Sequence, residues 1–160
     1  MDYRLVKAAI KFACLLLPCL DDAYDAAAGC CVFSTFDLAI TYHQVPVAHC
    51  DVKKTTLITH AGQFKIIKMT IGLCNAPFIY QRLMSIVLRG LITRICLAYF
   101  NDVIVNSRLD YQHVLDLRTV VERLRVADIK PSLLNASLFY RQSTVPRVRR
   151  QWRRRLARSR

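Results

Sequence analysis

Two aspartates stand where carboxylates could hold a metal ion. Asp37 ends a run of β-branched and aromatic residues, and Asp102 lies between two apolar runs. Runs of this composition are typical of short strands, and acids at strand ends or turn tips can converge on a divalent cation. Mg²⁺ prefers oxygen ligands, and two such ions can clamp the reacting oxygens of a phosphoryl transfer. Because an aspartate at a turn more often serves backbone hydrogen bonding, spacing alone does not establish a metal site.

The residues around these acids predict strands joined by hairpins. The predicted strands cover residues 32–38, 55–60, 64–69, 95–100 and 103–105. Ala61-Gly62-Gln63 is expected to join the second strand to the third, with Gly62 supplying the turn. Asn101-Asp102 is expected to form the turn of the last hairpin, with Asp102 at its tip.

Two helices are predicted between and after these strands. The first opens at Asn75-Ala76-Pro77 and stops at Gly90. Its expected apolar face consists of Ile79, Leu83, Ile86, Val87 and Leu88. The second covers 110–127, with a stripe of Val114, Leu117, Val121 and Leu124 at three- and four-residue spacing. Such a stripe could be a dimerisation seam, but a core-facing helix is its more common source. The interleaved elements predict an α+β protein with an antiparallel sheet.

The net charge of +13 is unevenly distributed. Residues 141–160 contain nine arginines and no acid, which leaves 15 basic against 11 acidic residues in 1–140. The 54% hydrophobic content excludes a wholly disordered chain. We therefore expect a globular domain over 1–140 followed by a disordered arginine-rich tail over 141–160.

Membrane and secretory functions are disfavoured. The longest apolar run covers residues 12–20 and contains Pro18, so it is too short to span a bilayer. A signal peptide remains a minor alternative, because Asp21, Asp22 and Asp25 separate that run from a possible cleavage site. Seven cysteines in no regular spacing indicate reduced thiols, an intracellular location and no zinc site.

Several ordered motifs together carry a family resemblance. Phe33-Ser34-Thr35-Phe36-Asp37-Leu38 followed by Tyr42-His43-Gln44 resembles the first catalytic motif of reverse transcriptases from gypsy-class LTR retrotransposons. Residues 72–77 and 81–84 are similar to a later motif of that family, and residues 99–105 resemble its Tyr-x-Asp-Asp hairpin. Weaker similarities lie in residues 2–22 and 51–55. The resemblance covers roughly residues 2–140, and so many motifs in order are not expected by accident.

The resemblance implies a polymerase palm, an antiparallel sheet packed on helices, with partial fingers. In the family a primer 3′-hydroxyl attacks a deoxynucleoside triphosphate while two Mg²⁺ ions hold the charge. Asp37 would then be a catalytic metal ligand, joined by the Leu38 carbonyl beside the nucleotide. Asn101 and Asp102 occupy the two acidic positions of the hairpin, and Asp102 would also bind metal. RNA or DNA template–primer and nucleotides are the implied partners, with no membrane.

Further roles follow for residues beside the nucleotide. Tyr42 would lie beneath the incoming sugar and reject a 2′-hydroxyl. Gly72, Pro77 and Gln81 would belong to the segment that faces template and nucleotide. Residue 41 is Thr where the family has Gly, and Thr70-Ile71 replaces Pro-Phe. These two changes alter packing and pocket shape rather than charge.

Asn101 is the departure that bears most on activity. The family has an aspartate there, whereas an amide brings no negative charge, so only Asp37 and Asp102 remain of three carboxylates. Loss of such a ligand is expected to cost orders of magnitude in rate. The fingers strand lies upstream of Met1 in the family, and the thumb lies beyond the resemblance. We therefore expect a degenerate, inactive, truncated copy.

The arginine tail provides the alternative function. Its densest part consists of Arg149, Arg150, Trp152, Arg153, Arg154 and Arg155. Arginines with one stackable ring are typical of a nucleic-acid-binding arm, so a non-catalytic nucleic-acid-binding protein is the alternative. Because the family has no such tail, out-of-frame sequence is the preferred interpretation of its origin. A third possibility is a chain too incomplete to fold or function.

Overall fold

The computed structural model describes residues 27–38 and 40–141. In chain order the regular elements are β1 (Val32–Leu38), β2 (Thr56–Thr59), β3 (Gly62–Lys65), α1 (Ala76–Val87), β4 (Cys96–Tyr99), β5 (Asp102–Ser107), α2 (Asp110–Val126) and β6 (Pro131–Arg141). Two short 3₁₀ helices, Thr41–Gln44 and Val52–Thr55, precede β2. Among the described residues no helix is long and apolar enough to cross a membrane.

The main sheet has four antiparallel strands in the order β4-β5-β1-β6. Hairpin β2–β3 forms a separate two-stranded sheet. The predicted α+β class with an antiparallel sheet is confirmed.

Both faces of the main sheet bury side chains, because residues along a strand alternate between faces. Phe36 and Leu38 of β1 contribute to the larger cluster, which also contains Met84 of α1 and Leu124 of α2. A smaller cluster on the other face contains Phe33 with Leu97 and Ile104. Because both faces are covered, six of the seven residues of β1 are buried, including the polar Ser34 and Thr35.

The predicted apolar face of α1 is wrong at two of its five positions, whereas Leu83, Val87 and Leu88 pack against the core as predicted. Ile79 and Ile86 are 47% and 61% exposed, whereas Tyr80, Gln81 and Met84 are buried. Tyr80, Met84 and Leu88 recur every four residues and form the true inner stripe. Pro77 lies in the first turn, as predicted, but the helix ends at Val87 rather than at Gly90.

The predicted stripe of α2 is right at Leu117 and Leu124, which pack against the core, and wrong at Val114 and Val121. Val114 is 45% and Val121 38% exposed, and the buried positions are His113, Asp116, Val120 and Leu124. Two polar residues occupy this face because buried hydrogen bonds satisfy them, so hydrophobic periodicity could not identify it. The helix itself, predicted over 110–127, is confirmed within one residue.

Both hairpin turns lie one residue earlier than predicted. Thr59 pairs with Gly62, so His60-Ala61 forms the first turn, and Gly62 begins β3 with a φ of 125°. The strand predicted over 64–69 ends at Lys65. Tyr99 pairs with Asp102, so the second turn is Phe100-Asn101 and Asp102 is the first residue of β5.

Strand β6 was not predicted from the sequence. It pairs with β1 in an interrupted register, with Leu38 opposite Pro131 and Val32 opposite Arg141. Arg141 also forms an ion pair with Asp110 at the start of α2. The domain boundary predicted after residue 140 therefore falls one residue before the end of this strand. The cysteines of the described residues, Cys30, Cys31, Cys50, Cys74 and Cys96, are free thiols.

Candidate active site

The strand register brings the two predicted acids together. Asp37 of β1 lies directly opposite Asp102 of β5. Opposed residues of antiparallel strands have Cα atoms about 4.5–5.5 Å apart and point to the same face. Both side chains are partly accessible at the end of the sheet beside the Phe100-Asn101 turn. The structure thus places two carboxylates side by side at one end of the two inner strands.

Asn101 contacts this pair as a hydrogen-bond donor. Its Nδ2 donates to Asp37 Oδ1 over 2.8 Å. An ionised carboxylate can only accept hydrogen bonds, so the amide nitrogen rather than the amide oxygen faces Asp37. The Asn101 carbonyl in turn accepts from the Leu38 amide at 2.9 Å. The turn residue is thereby fixed to β1 through both its side chain and its backbone.

The Leu38 carbonyl is also engaged by the protein. Thr41 Oγ1 donates to it over 2.9 Å. Ile40, between them, adopts φ 50° and ψ 28°, a left-handed conformation that is a genuine outlier for a β-branched residue. A backbone outlier beside the acid pair indicates a segment held by its surroundings rather than by local preference.

Tyr42, in the 3₁₀ helix that follows Ile40, is partly buried. Its ring packs edge-on against Tyr80 of α1, with centroids 5.8 Å apart. Burial raises the pKa of the Tyr42 hydroxyl above its ordinary value. Burial also raises the pKa of Tyr80, and the negative charges of Asp37 and Tyr42 add to that effect. Because both pKa values are raised, both phenols are neutral near pH 7. Within the part of the chain that the structure describes, the buried Tyr80 hydroxyl has no hydrogen-bond partner.

Gln81 supports the β4–β5 hairpin through a side chain that points into the protein. Its side chain is fully buried. Its Nε2 donates to the Ala98 carbonyl at 3.1 Å, and its Oε1 accepts from the Phe100 amide at 2.6 Å. Both polar groups of the side chain are therefore used to attach α1 to β4 and to the turn before Asn101. The prediction that the segment containing Gln81 faces template and nucleotide stays a prediction.

Gly72 and Pro77 are the remaining predicted site residues that the structure describes, and it shows no contact between them and the acid pair. Gly72 is exposed with a φ of 102°, and Pro77 is partly buried at the start of α1. Their orientation toward template remains a prediction. The tail positions Arg149, Arg150, Trp152, Arg153, Arg154 and Arg155 lie outside the described residues.

A buried polar chain behind the sheet was missed from the sequence. Ser34 Oγ lies 2.7 Å from His113 Nε2, and His113 Nδ1 lies 3.0 Å from Ser107 Oγ. Ser107 donates its only proton to Asp116 Oδ2 at 2.7 Å. It must therefore accept from His113 Nδ1–H, which leaves Nε2 to accept from Ser34. Ser34 Oγ also accepts from the Phe139 amide at 3.1 Å, so the chain connects α2 to β1, β5 and β6.

Burial favours the neutral ring of His113, and the acceptor role of Nε2 follows from that neutrality. Burial lowers the pKa of His113 below its ordinary value, although the charges of Asp116 and Asp110 act in the opposite direction. The only sequence signal for this network was the spacing of His113 and Asp116 on α2, together with one serine on each of β1 and β5.

Two Mg²⁺ ions do not fit the donor set at the acid pair. Within the described residues no group of three or more His, Cys, Asp or Glu side chains is arranged to hold a metal ion. One oxygen of Asp37 and the Leu38 carbonyl already accept protein hydrogen bonds. Divalent-metal use is a general property of enzymes with such acid sites, but here two ions would have to share two carboxylates, Asp37 and Asp102.

The sheet, the paired acids and the tight hairpin define the palm of a polynucleotide polymerase. The chain belongs to the reverse transcriptase (RNA-dependent DNA polymerase) family, whose family model matches residues 1–134.

Relatives with this domain include mobile-element polyproteins and a shorter homologue. The chain is 32% identical over 133 residues to the retrovirus-related Pol polyprotein from transposon 297 of Drosophila melanogaster, matching 83% of this chain. It is 37% identical over 100 residues, 62% of its length, to that from transposon gypsy of the same organism. The matched parts are 13% and 10% of those polyproteins. An RNA-directed DNA polymerase homolog of Oenothera berteroana is 35% identical over 126 residues, 76% of this chain and 88% of that protein.

Solved structures show the same fold. The prototype foamy virus protease–reverse transcriptase superposes with a TM-score of 0.75 at 19% identity, over 86% of this chain and 18% of the viral one. A foamy viral protease–reverse transcriptase in complex with dsDNA gives 0.77 at 18% identity, over 87% and 29% of the two chains. The resemblance to an RNA-directed DNA polymerase with palm and partial fingers is thereby confirmed.

Proposed function

We propose that this chain forms the palm and part of the fingers of an RNA-directed DNA polymerase that does not catalyse nucleotide addition. The observation that carries this proposal is the contact between Asn101 and Asp37. The position where the family's motif has an acid presents an N–H group to the remaining carboxylate at 2.8 Å. A group that donates to Asp37 cannot also ligate a cation through the same atom.

The electrostatic consequence explains why the loss is severe. Nucleotidyl transfer by two divalent ions needs anionic ligands that offset the charge of both ions and fix their separation. Asp37 and Asp102 supply two negative charges, and Asn101 supplies none. Removing one anionic ligand from such a site is expected to lower the rate by orders of magnitude.

The proposed partners are template–primer nucleic acid and deoxynucleoside triphosphates. Related foamy viral reverse transcriptases have been solved with dsDNA and with an RNA/DNA hybrid. The palm fold shared with those proteins supports the same class of polymer here, and the free cysteines support an intracellular location. In the family's pattern Asp37 and Asp102 stand at positions of metal-binding acids, Leu38 and Tyr42 beside the nucleotide, and Gly72, Pro77 and Gln81 in the segment beside the template.

Primer extension tests this proposal. Purified chain is incubated with a primed RNA template and deoxynucleotides in Mg²⁺ or Mn²⁺, and we expect no extension. Incorporation that disappears in Asp37→Ala would overturn the proposed inactivity, because it would show catalysis at this site. Ile58→Ala, at an exposed position of hairpin β2–β3, is the matched control for a substitution outside the site.

A second function, nucleic-acid binding through the arginine tail, is supported by composition. Residues 141–160 contain nine arginines and no acid. Each phosphate contact releases counterions, so tail binding would have a steep salt dependence.

The test compares two variants of the full chain. One changes Arg149, Arg150, Arg153, Arg154 and Arg155 to Gln; the other changes the exposed Arg82, Arg89, Arg94, Arg108 and Arg118 to Gln. We expect the first to lose most affinity and to flatten the plot of log K against log salt. Equal losses in the two variants would reject a specific role for the tail.

A further inference from the structure

Two side-chain donors of the same chain bond at the end of β1, one to Asp37 and one to the neighbouring Leu38 carbonyl. Asn101 Nδ2 reaches Asp37 Oδ1 from the β4–β5 turn, over 2.8 Å. Thr41 Oγ1 reaches the Leu38 carbonyl from the following 3₁₀ helix, over 2.9 Å. The two donors come from different elements on either side of the end of β1. Each donor occupies one lone pair of an oxygen that a cation at this position would also use.

Two opposed carboxylates require some compensation. Like charges directly opposite on neighbouring strands destabilise a sheet. A bound divalent cation is one source of compensation, and charge-assisted hydrogen bonds from neutral groups are another. The Asn101 N–H provides the second kind, since it places a positively polarised hydrogen against Asp37. The backbone bond from Leu38 to Asn101 holds the amide in that position.

We propose that Asn101 and Thr41 substitute for a divalent cation, so that the acid pair is stable without metal and Mg²⁺ does not stabilise the folded chain. The inference rests on the proposed assignment of Asp37 and Asp102 as the acids of the polymerase site. It goes further by assigning a positive structural role to Asn101 and Thr41. In this role Asn101 and Thr41 occupy the positions of a cation, so the site differs from one that only lacks a metal ligand.

Thermal unfolding with the metal alone tests the substitution. Melting temperatures of wild type, Asn101→Asp and Asn101→Gly are measured in EDTA and in millimolar Mg²⁺ or Mn²⁺ at constant ionic strength. We expect the wild-type value to be unchanged by metal. Asn101→Asp should melt lower in EDTA and recover by on the order of 3 °C in Mg²⁺, because a ligand of the folded state raises its stability.

Two further variants keep the test decisive. Asn101→Gly removes the donor without adding charge, so it remains informative if Asn101→Asp does not fold in EDTA, and it should show a smaller metal response. Thr41→Val keeps the side-chain shape but loses the hydroxyl, and combined with Asn101→Asp it should increase the response to Mg²⁺. Gln63→Glu adds a carboxylate at an exposed position of β3 and controls for non-specific binding.

Two results would overturn the inference. One is a wild-type response to Mg²⁺ as large as that of Asn101→Asp. The other is an Asn101→Asp variant that folds equally well in EDTA and shows no response. The assay contains neither nucleotide nor nucleic acid, so primer extension by the wild type would overturn the proposed inactivity without deciding this question.

Discussion

At the scale of single residues, the hydrogen-bond direction of two side chains determines what the site can do. The Asn101 amide faces Asp37 with its nitrogen, and the neutral His113 ring donates through Nδ1 and accepts through Nε2. In both cases the neighbour fixes the orientation, because a carboxylate accepts only and a hydroxyl has one proton. Residue type alone allowed either orientation.

His113 predicts a pH dependence of stability. Its pKa is lowered in the folded chain by burial, so the folded state binds a proton less readily than the unfolded state does. Its contribution is fully present above the unfolded value of about 6.5 and is lost as pH falls toward the lower folded pKa. We expect urea midpoints to fall between about pH 7.5 and pH 5.5, a range above the ordinary carboxylate values.

Two histidine variants isolate this effect. His113→Gln should remove most of the fall in midpoint, whereas His60→Gln, at an exposed position beside β2, should retain it. A pH dependence that survives His113→Gln unchanged would assign the effect to other groups.

At the scale of elements, α1 and α2 position the site through buried polar contacts that hydrophobic patterns do not reveal. Gln81 attaches α1 to the β4–β5 hairpin. His113 and Asp116 attach α2 to β1 and β5. The turn at Phe100 has a φ of 52°, a conformation that a non-glycine residue needs support to hold. The Gln81 bond to the Phe100 amide provides that support.

Gln81→Leu should destabilise the chain by about 2 kcal/mol, because the Phe100 amide and the Ala98 carbonyl lose their partners. Urea unfolding measures the loss, and hydrogen exchange at the Phe100 amide should accelerate. Arg82→Gln, at the next and exposed position of α1, is the control and should change stability by less than about 0.5 kcal/mol. Normal protection of Phe100 in Gln81→Leu would contradict the positioning role.

The corrected face of α2 can be tested with two chemically identical changes. Val120 is fully buried and Val114 is 45% exposed. We expect Val120→Ala to cost about 2 kcal/mol of unfolding free energy and Val114→Ala less than about 0.5 kcal/mol. Similar costs in denaturant titrations would favour the stripe predicted from periodicity.

At the scale of the whole molecule, the central position of β1 makes the sheet depend on strands that are distant in sequence. Strand β5 pairs with one edge of β1 and β6 with the other. The family match ends at residue 134, so most of β6 lies beyond it although this strand completes the sheet. The globular unit therefore continues past the recognisable motifs.

Removal of β6 should abolish cooperative folding. A chain of residues 1–130 exposes the unpaired edge of β1 and is expected to aggregate or to lose its single thermal transition. A chain of residues 1–145 retains β6 and should unfold like the full chain. Thermal unfolding by circular dichroism, together with light scattering, measures both. A cooperative transition in 1–130 would show that β6 is dispensable.

The sequence by itself determined the family, the α+β class, β1, the approximate hairpins and the extent of α2. These features follow from ordered motifs and from local periodicity, which are properties of neighbouring residues. The tertiary structure alone decided which faces of α1 and α2 are buried, the pairing of β6, and the donors that surround Asp37. These depend on partners far apart in the chain: 64 residues separate Asn101 from Asp37, and 79 separate His113 from Ser34. A polar side chain becomes a core residue or a cation substitute only when such a distant partner satisfies it.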